Sequence, residues 1–457
     1  MSNKTLILTI KWKTIFLFSV IMSFCFTLMN ETTTVTQKIR SESPTSQLNN
    51  DLVVVENTTF PLGEFGLELE CSLQLSDTCF IFAGKNYSRS SHDIAVAKFD
   101  FKQGFLWSYT FGGDNYEFIT DLIQTNDGGI AFAGVTESYG AGGRDMWFVK
   151  LNSEGKTEFS HTYGGERGDE VSSMIQTSDG GFILFGHSSS HREIGEYDSD
   201  FWVVKTDSEG EVEWNKLYHE RDKDYGDSIL ETNDGSFGII GNTMNFGDET
   251  REDDIWFVKI DKKGEVVWEK VIGGEDDDNP KKILQNSKGE YYILALTESY
   301  TDIEYNKDLW VIQLDNQGNI KWNQTYGGIS TEEFINSIET PEGNLAIIAN
   351  TYSYGEMPLG WLLIVKPPSN VIVNRTFEDW NFYPLDVYPD NEKNNLILLG
   401  VRMIHTDYYW CLLKVHYGDN PLEQTPVDEE SIGGFELIIG ILTSGLVYYL
   451  VIRKRRK

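Results

Sequence analysis

Positive charge is the first thing in short supply. Lys and Arg total 38 against 71 Asp and Glu, a formal −33 over 457 residues. Binding a phosphate backbone or an anionic surface needs a basic footprint, so the balance argues against nucleic acid as a partner. Cations, basic proteins and simple solubility stay compatible with it. Histidine is also scarce, 7 in all and scattered. No Ser/His/Asp order, H-E-x-x-H, P-loop or paired-cysteine ligand spacing occurs, so the sequence offers no catalytic residue, no metal centre and no cofactor motif. Cysteine numbers 4. Cys25 lies in an N-terminal apolar run and Cys411 reads as a buried strand residue. Cys71 and Cys79 fall on adjacent expected strands, where a disulfide and two free thiols are equally open.

Long apolar runs are absent from the middle of the chain and present at both ends. Lys4, Lys11 and Lys13 precede an apolar run from Ile15 to Met29, the layout of a secretory signal or N-terminal membrane segment over residues 1–30. A polar linker, 31–50, follows. At the other end, "FELIIGILTSGLVYYLVI" over 435–452 is long enough to span a bilayer as a transmembrane helix. The basic "RKRRK" of 453–457 holds that end in the cytoplasm. An acidic, Pro-containing stalk, 419–434, comes before it. This reading puts the bulk of the chain outside the cell as a single-pass membrane protein. The sequons at Asn30, Asn57, Asn86, Asn323 and Asn374 agree with that compartment and are glycosylation candidates.

Between the ends, the chain repeats itself. Each unit opens on a turn such as "DLIQTNDGG" or "SMIQTSDGG", and continues with an apolar run such as "IAFAGVTES" or "FILFGHSSS". A segment such as "DIWFVKIDKKG" follows, then one such as "WEKVIGG" or "WNQTYGG". The apolar segments are short, rich in Val, Ile, Phe and Trp, and bounded by turn residues, so they are strands. Trp214, Trp268 and Trp322 recur at 54 residues. Four strands at that period are the signature of a β-propeller blade. The second strand occurs seven times, from Phe80–Gly84 to Leu396–Gly400. The last unit stops after its third strand, and Asp51–Pro61 reads like the missing fourth. The expectation is an all-β, seven-bladed propeller over 51–418, closed by its N-terminal strand against Tyr409–Val415. In each unit, D-x-x-G is a hairpin turn and the Trp is a wedge between blades. The glycine pair supplies backbone torsions that other residues resist.

The unit resembles the propeller repeats of secreted bacterial and archaeal surface proteins, on Tyr163-Gly164-Gly165, Asp169, Thr177–Gly181 and Asp200–Lys205. The tail is similar to archaeal C-terminal sorting signals, with Gly433-Gly434-Phe435 where that family has Pro-Gly-Phe. Together these resemblances imply an archaeal surface protein with no assigned reaction. The turn at Asp261, Gly264 and Trp268 resembles the tryptophan-docking motif of quinone enzymes in purpose, but is one residue short of it.

Two acidic columns recur with the blades. Glu117, Asp169, Asp224, Asp278 and Glu332 follow each glycine pair or its equivalent. Asp93, Asp145, Asp200, Asp254 and Asp308 open the third strands. The first column reads either as a carboxylate ring at the channel mouth for Ca²⁺ or a cationic ligand, or as acids bonding backbone N–H groups of their own loops. Repetition favours the second reading, because structural roles repeat and sites usually do not. "DKDYGD" (Asp222 to Asp227) is expected to be a solvated loop. The leading expectation is a displayed, non-enzymatic module for adhesion, envelope structure or ligand binding, with a protein or glycan partner. The alternative is a quinoprotein-like or glycan-cleaving propeller.

Overall fold

The computed structural model describes residues 52–61, 67–86, 92–190, 199–219, 223–244, 253–301, 303, 305–354, 357–368, 370–378, 381–404, 407–418, 438–443 and 446–451. Within these, seven four-stranded antiparallel sheets follow one another along the chain. After β1 (Leu52–Pro61), blade 1 holds β2 (Leu67–Gln74), β3 (Cys79–Asn86), β4 (Asp93–Asp100) and β5 (Gly104–Phe111). Blade 2 runs β6 (Glu117–Gln124) to β9 (Thr157–Tyr163), and blade 3 runs β10 (Asp169–Gln176) to β13 (Val212–Tyr218). Blade 4 spans β14 (Asp224–Glu231) to β17 (Val266–Ile272), and blade 5 spans β18 (Asp278–Gln285) to β21 (Ile320–Tyr326). Blade 6 runs β22 (Glu332–Glu339) to β25 (Asn370–Thr376). Blade 7 has β26 (Phe382–Pro389), β27 (Asn395–Ile404) and β28 (Asp407–Tyr417) from its own sequence.

Its fourth strand is β1, as expected. β1 pairs antiparallel with β28, with Thr59 opposite Cys411 and Phe60 opposite Trp410. Phe82 of blade 1 then stacks on Trp410, with ring centroids 5.4 Å apart. The chain's two ends thus meet in one blade, and no sheet of the ring keeps an open terminal gap.

The core lies between blades rather than within them. Seven apolar clusters each join one pair of neighbours, and the last unites Phe80, Phe82 and Phe99 of blade 1 with Leu399 and Trp410 of blade 7. Second and third strands are therefore buried on both faces, which is why their sequences are continuous apolar runs rather than alternating ones. The Trp wedges sit where the repeat required: Trp107, Trp214, Trp268 and Trp322 pack at the margins of four of the clusters, with Phe159 in that place between blades 2 and 3. A Cβ at Gly264, in the D-x-x-G turn of blade 4, would stand 2.9 Å from the Trp214 ring of blade 3. That turn has φ +75° at Gly264, and Asp261 Oδ1 accepts from the N–H of Lys263 and of Glu265 at 2.8 and 2.9 Å. Only glycine meets both demands.

The question left open at the cysteines is answered: Cys71 and Cys79 are free thiols, the register setting Cys71 opposite Ala83 and Cys79 opposite Asp100. In the tail, Ile438–Thr443 and Leu446–Val451 pair as two antiparallel strands. Isoleucine and valine at 438, 439, 441, 447 and 451 favour strand. No helix among the described residues is long and apolar enough to cross a membrane. Residues 1–51, 419–437 and 452–457, with the expected signal, linker, stalk and basic tail, lie outside the described residues.

Candidate functional site

The acids singled out from the repeat do not line an open mouth. Glu117, Asp169, Asp224, Asp278 and Glu332 each begin an innermost strand, and each is fully buried. Most of them accept from donors on nearby loops, while Asp278 Oδ1 and Glu332 Oε2 are buried with no hydrogen-bond partner. Glu117 accepts from the Gly113 N–H at 3.1 Å and from Thr136 Oγ1 at 3.0 Å. Asp169 accepts from the Gly165 N–H at 2.7 Å, from Ser190 Oγ at 2.6 Å and from Ser188 Oγ. Ser299 Oγ donates to Asp278 at 2.8 Å, and Ser353 Oγ to Glu332 at 2.6 Å.

The second column closes on the first across the blade junction. A Cβ at Gly164 would lie 2.0 Å from Asp145 Oδ1 and 2.8 Å from Asp169 Oδ2. At Gly112, the same atom would meet Asp93 at 2.3 Å and Glu117 at 2.7 Å; at Gly273, it would meet Asp254 at 1.6 Å. The second glycine of each pair is blocked instead by a serine, as at Gly165, 2.7 Å from Ser190 Cβ. This corrects the reason for the glycine pair. It makes room for two facing carboxylates and a serine, and Gly273 and Gly327 have no positive φ. Burial lifts the Asp278 carboxyl to about 7, with Asp254 adding to the rise, and lifts Glu332 to about 8, with Asp308 adding. The stretch expected as a solvated loop at Asp222–Asp227 is in fact the start of β14 from Asp224 on.

The sequons divide. Asn30 lies outside the described residues, as does the side chain of Asn57. Asn86 donates to Thr110 Oγ1 at 3.3 Å. Asn323 and Asn374 accept the indole N–H of Trp310 and Trp361 at 3.1 and 2.8 Å, a place taken in blade 2 by Ser160 with Trp147. Those two asparagines thus have a packing role.

A different set of residues, outside the two acidic columns, converges on the axis. Every innermost strand is bulged at the same point: pairing skips a residue between Leu69 and Cys71, Ile119 and Asp121, Val171 and Ser173, and likewise in the other four blades. A bulge re-aims the next side chain. That next residue is Cys71, Asp121, Ser173, Ser228, Lys282, Asn336 and Asp386 in blades 1 to 7.

These side chains bond from blade to blade. Lys282 Nζ donates to Asn336 Oδ1, and Asn336 Nδ2 donates to Asp386 Oδ1 at 2.6 Å. Asp386 Oδ2 accepts from Ser72 Oγ and Tyr388 OH, both at 2.6 Å. On the other side, Asp121 Oδ2 accepts from the Met174 N–H at 2.7 Å and Ser173 Oγ at 3.3 Å. The ring is narrow enough for Lys282 of blade 5 to be felt by Asp121 of blade 2. Burial raises the Asp121 carboxyl and lowers the Lys282 ammonium, the latter opposed by Asp386 and Asp121. Burial also raises the Cys71 thiol, with Asp121 adding to it. One signal in the sequence pointed here: a column of polar residues inside strands that otherwise bury apolar ones.

No protein-family model matches the chain, and no curated protein matches it. Among solved structures, it is similar to a protein of unknown function from Dyadobacter fermentans, 10% identical, covering 80% of this chain and 100% of that one at a TM-score of 0.46. The β-propeller domain of the Trilobed protease from Pyrococcus furiosus is 13% identical, with coverage of 77% and 94% and a TM-score of 0.44. The polysaccharide lyase Uly1 is 11% identical, with coverage of 76% and 89% and a TM-score of 0.45. Likenesses at this level carry no argument about activity.

Proposed function

We propose that the chain is a membrane-anchored propeller displayed outside the cell, acting as a non-enzymatic binding module whose ligand enters the axial ring. One observation carries this reading. At seven equivalent positions the ring uses Cys, Asp, Ser, Lys and Asn, whereas the blade junctions use the same acid–glycine–acid arrangement again and again. Scaffold roles repeat in such folds; a site built by divergence does not. Display is supported by the apolar N-terminal run and the stalk, apolar segment and basic cluster at the other end.

The test of binding is a screen of the purified propeller against glycans, proteins and envelope extracts, repeated with Asp121→Asn and Lys282→Met. A ligand retained by the parent and lost by both variants supports the reading; a ligand indifferent to both moves the site to the loop faces. Protease added to intact cells checks display, since full protection of the propeller is incompatible with it. An enzymatic reading has one observation in its favour, the meeting of Lys282, Asp121 and Asp386. Turnover of a ligand found in the screen decides for it.

A further inference from the structure

Buried lysines elsewhere in this chain are clamped by carboxylates. Lys150 donates to Asp127 at 2.6 Å and also to Glu158, Lys205 pairs with Asp179 and Glu213 at 3.3 and 3.0 Å, and Lys259 pairs with Asp234 at 2.6 Å. Those contacts raise Lys150 and Lys259 against the lowering effect of burial. Lys282 differs. Its hydrogen-bond partner is the neutral amide of Asn336, and among the described residues it forms no ion pair. An ammonium has three donors, and one is used here. The charged groups that act on it are Asp121 from β6 and Asp386 from β26; Cys71 from β2 and Tyr388 from β26 lie by those aspartates, while Asp227 from β14 feels Lys281, beside Lys282 on its own strand. The two aspartates have all four oxygens already bonded to protein donors: Asp121 to the N–H of Leu122 and Met174, Asp386 to Asn336, the Val387 N–H, Ser72 and Tyr388. The amine is the ring member with capacity to spare.

We propose that Lys282 is the reactive anchor of the axial site and captures a small aldehyde or ketone as a reversible imine. This rests on the reading of the ring as the binding site. The lone pair of the unprotonated Nζ attacks the carbonyl carbon, and the carbonyl oxygen takes up both amine hydrogens and leaves as water. Amine and carbonyl thus give imine and water, with no oxidant or reductant consumed. Two conditions are met at this position. Burial without a carboxylate partner favours the free amine. The side chain is part-exposed rather than sealed in the core.

The test is limiting reductive alkylation of the full-length chain in detergent at pH 7, with acetaldehyde and cyanoborohydride, read by peptide mass spectrometry. Lys282 is expected to be modified at least about tenfold faster than Lys150, Lys205 and Lys259, because each unit of lowered pKa multiplies the free amine about tenfold. A rate no higher than theirs overturns the proposal. In Asn336→Asp, a carboxylate is placed against the ammonium. The pH midpoint of Lys282 labelling is then expected to rise by about one unit or more, while labelling of Lys156, which is exposed, stays constant. An unmoved midpoint also overturns it. Should a screened ligand bind through the ring while Lys282 stays inert, the imine fails and the binding site stands. Inert Lys282 together with no ring-dependent ligand removes both.

Discussion

The blade junctions and the axial ring both use polar side chains on the innermost strands, only four residues apart in sequence. At the junctions, one arrangement recurs: an acid on each side of a glycine, with a serine or threonine hydroxyl closing it, as in Asp145, Gly164, Asp169 and Ser188. At the ring, the bulge recurs but the side chain it presents does not. Sameness marks what the fold needs in every blade, and difference marks what is free to be specialised.

Two perturbations of the scaffold and one of the ring fall in order of size. Deleting Leu52–Val55 removes the inner part of β1 that pairs with Tyr417, His416 and Val415. It leaves blade 7 open along β28 and should cost above about 5 kcal/mol, with aggregation through the bare edge. Size-exclusion chromatography and a melt check this; a monomer with an unchanged transition removes the closure. Gly164→Ala forces a methyl onto Asp145 and Asp169, and about 2–4 kcal/mol of destabilisation is expected from overpacking against charge. Lys282→Met, by contrast, should change the denaturant midpoint by less than about 1 kcal/mol while abolishing labelling. If it is as costly as Gly164→Ala, the ring is scaffold too.

The junction acids also give the molecule a slope with pH. The folded chain holds protons on Asp278 up to about pH 7 and on Glu332 up to about pH 8, whereas the unfolded chain releases them at ordinary carboxyl values. Between roughly pH 4 and those values, the native state binds more protons, so stability falls as pH rises, by at most about 1.4 kcal/mol per pH unit for each group. Urea midpoints at pH 5 and pH 8 measure the drop. Asp278→Asn should flatten its share, and a parent chain that gains stability over that range contradicts the buried pairing.

Much of the fold was legible because it is written repeatedly. The Trp spacing, the D-x-x-G turns and the orphan strand at Asp51–Pro61 are local signals, and closure of the seventh blade followed from counting strands. The ring was not legible in the same way. Lys282 sits in "DNPKKILQ", where nothing but its register distinguishes it from Lys281, and register depends on a bulge that only strand pairing reveals. The role of the glycine pair was misread for a related reason. Its crowding comes from Asp145 or Asp254 on another strand, and sequence proximity shows only the turn.

The smallest expected effect separates charge in bulk from charge in place. With a formal −33, the chain should repel itself at low salt, and divalent cations should relieve that gradually, much as NaCl does. A specific Ca²⁺ site would instead give a saturable response, since a ligand bound only by the native state stabilises by RT ln(1 + [L]/Kd). The junction acids favour the first outcome. Most of them have one oxygen accepting from a glycine N–H or a serine hydroxyl, as Asp278 does from Ser299, and the other, as at Asp278 Oδ1, lies in a fully buried position that an ion would have to enter without its water. Calorimetric titration should therefore show weak, non-stoichiometric heats that vanish in 0.5 M NaCl, roughly where the screening length falls below 5 Å. A stoichiometric Ca²⁺ isotherm that survives the salt and is lost in Asp224→Asn plus Asp278→Asn would reverse the comparison, making the repeated junctions the site and the varied ring its lining.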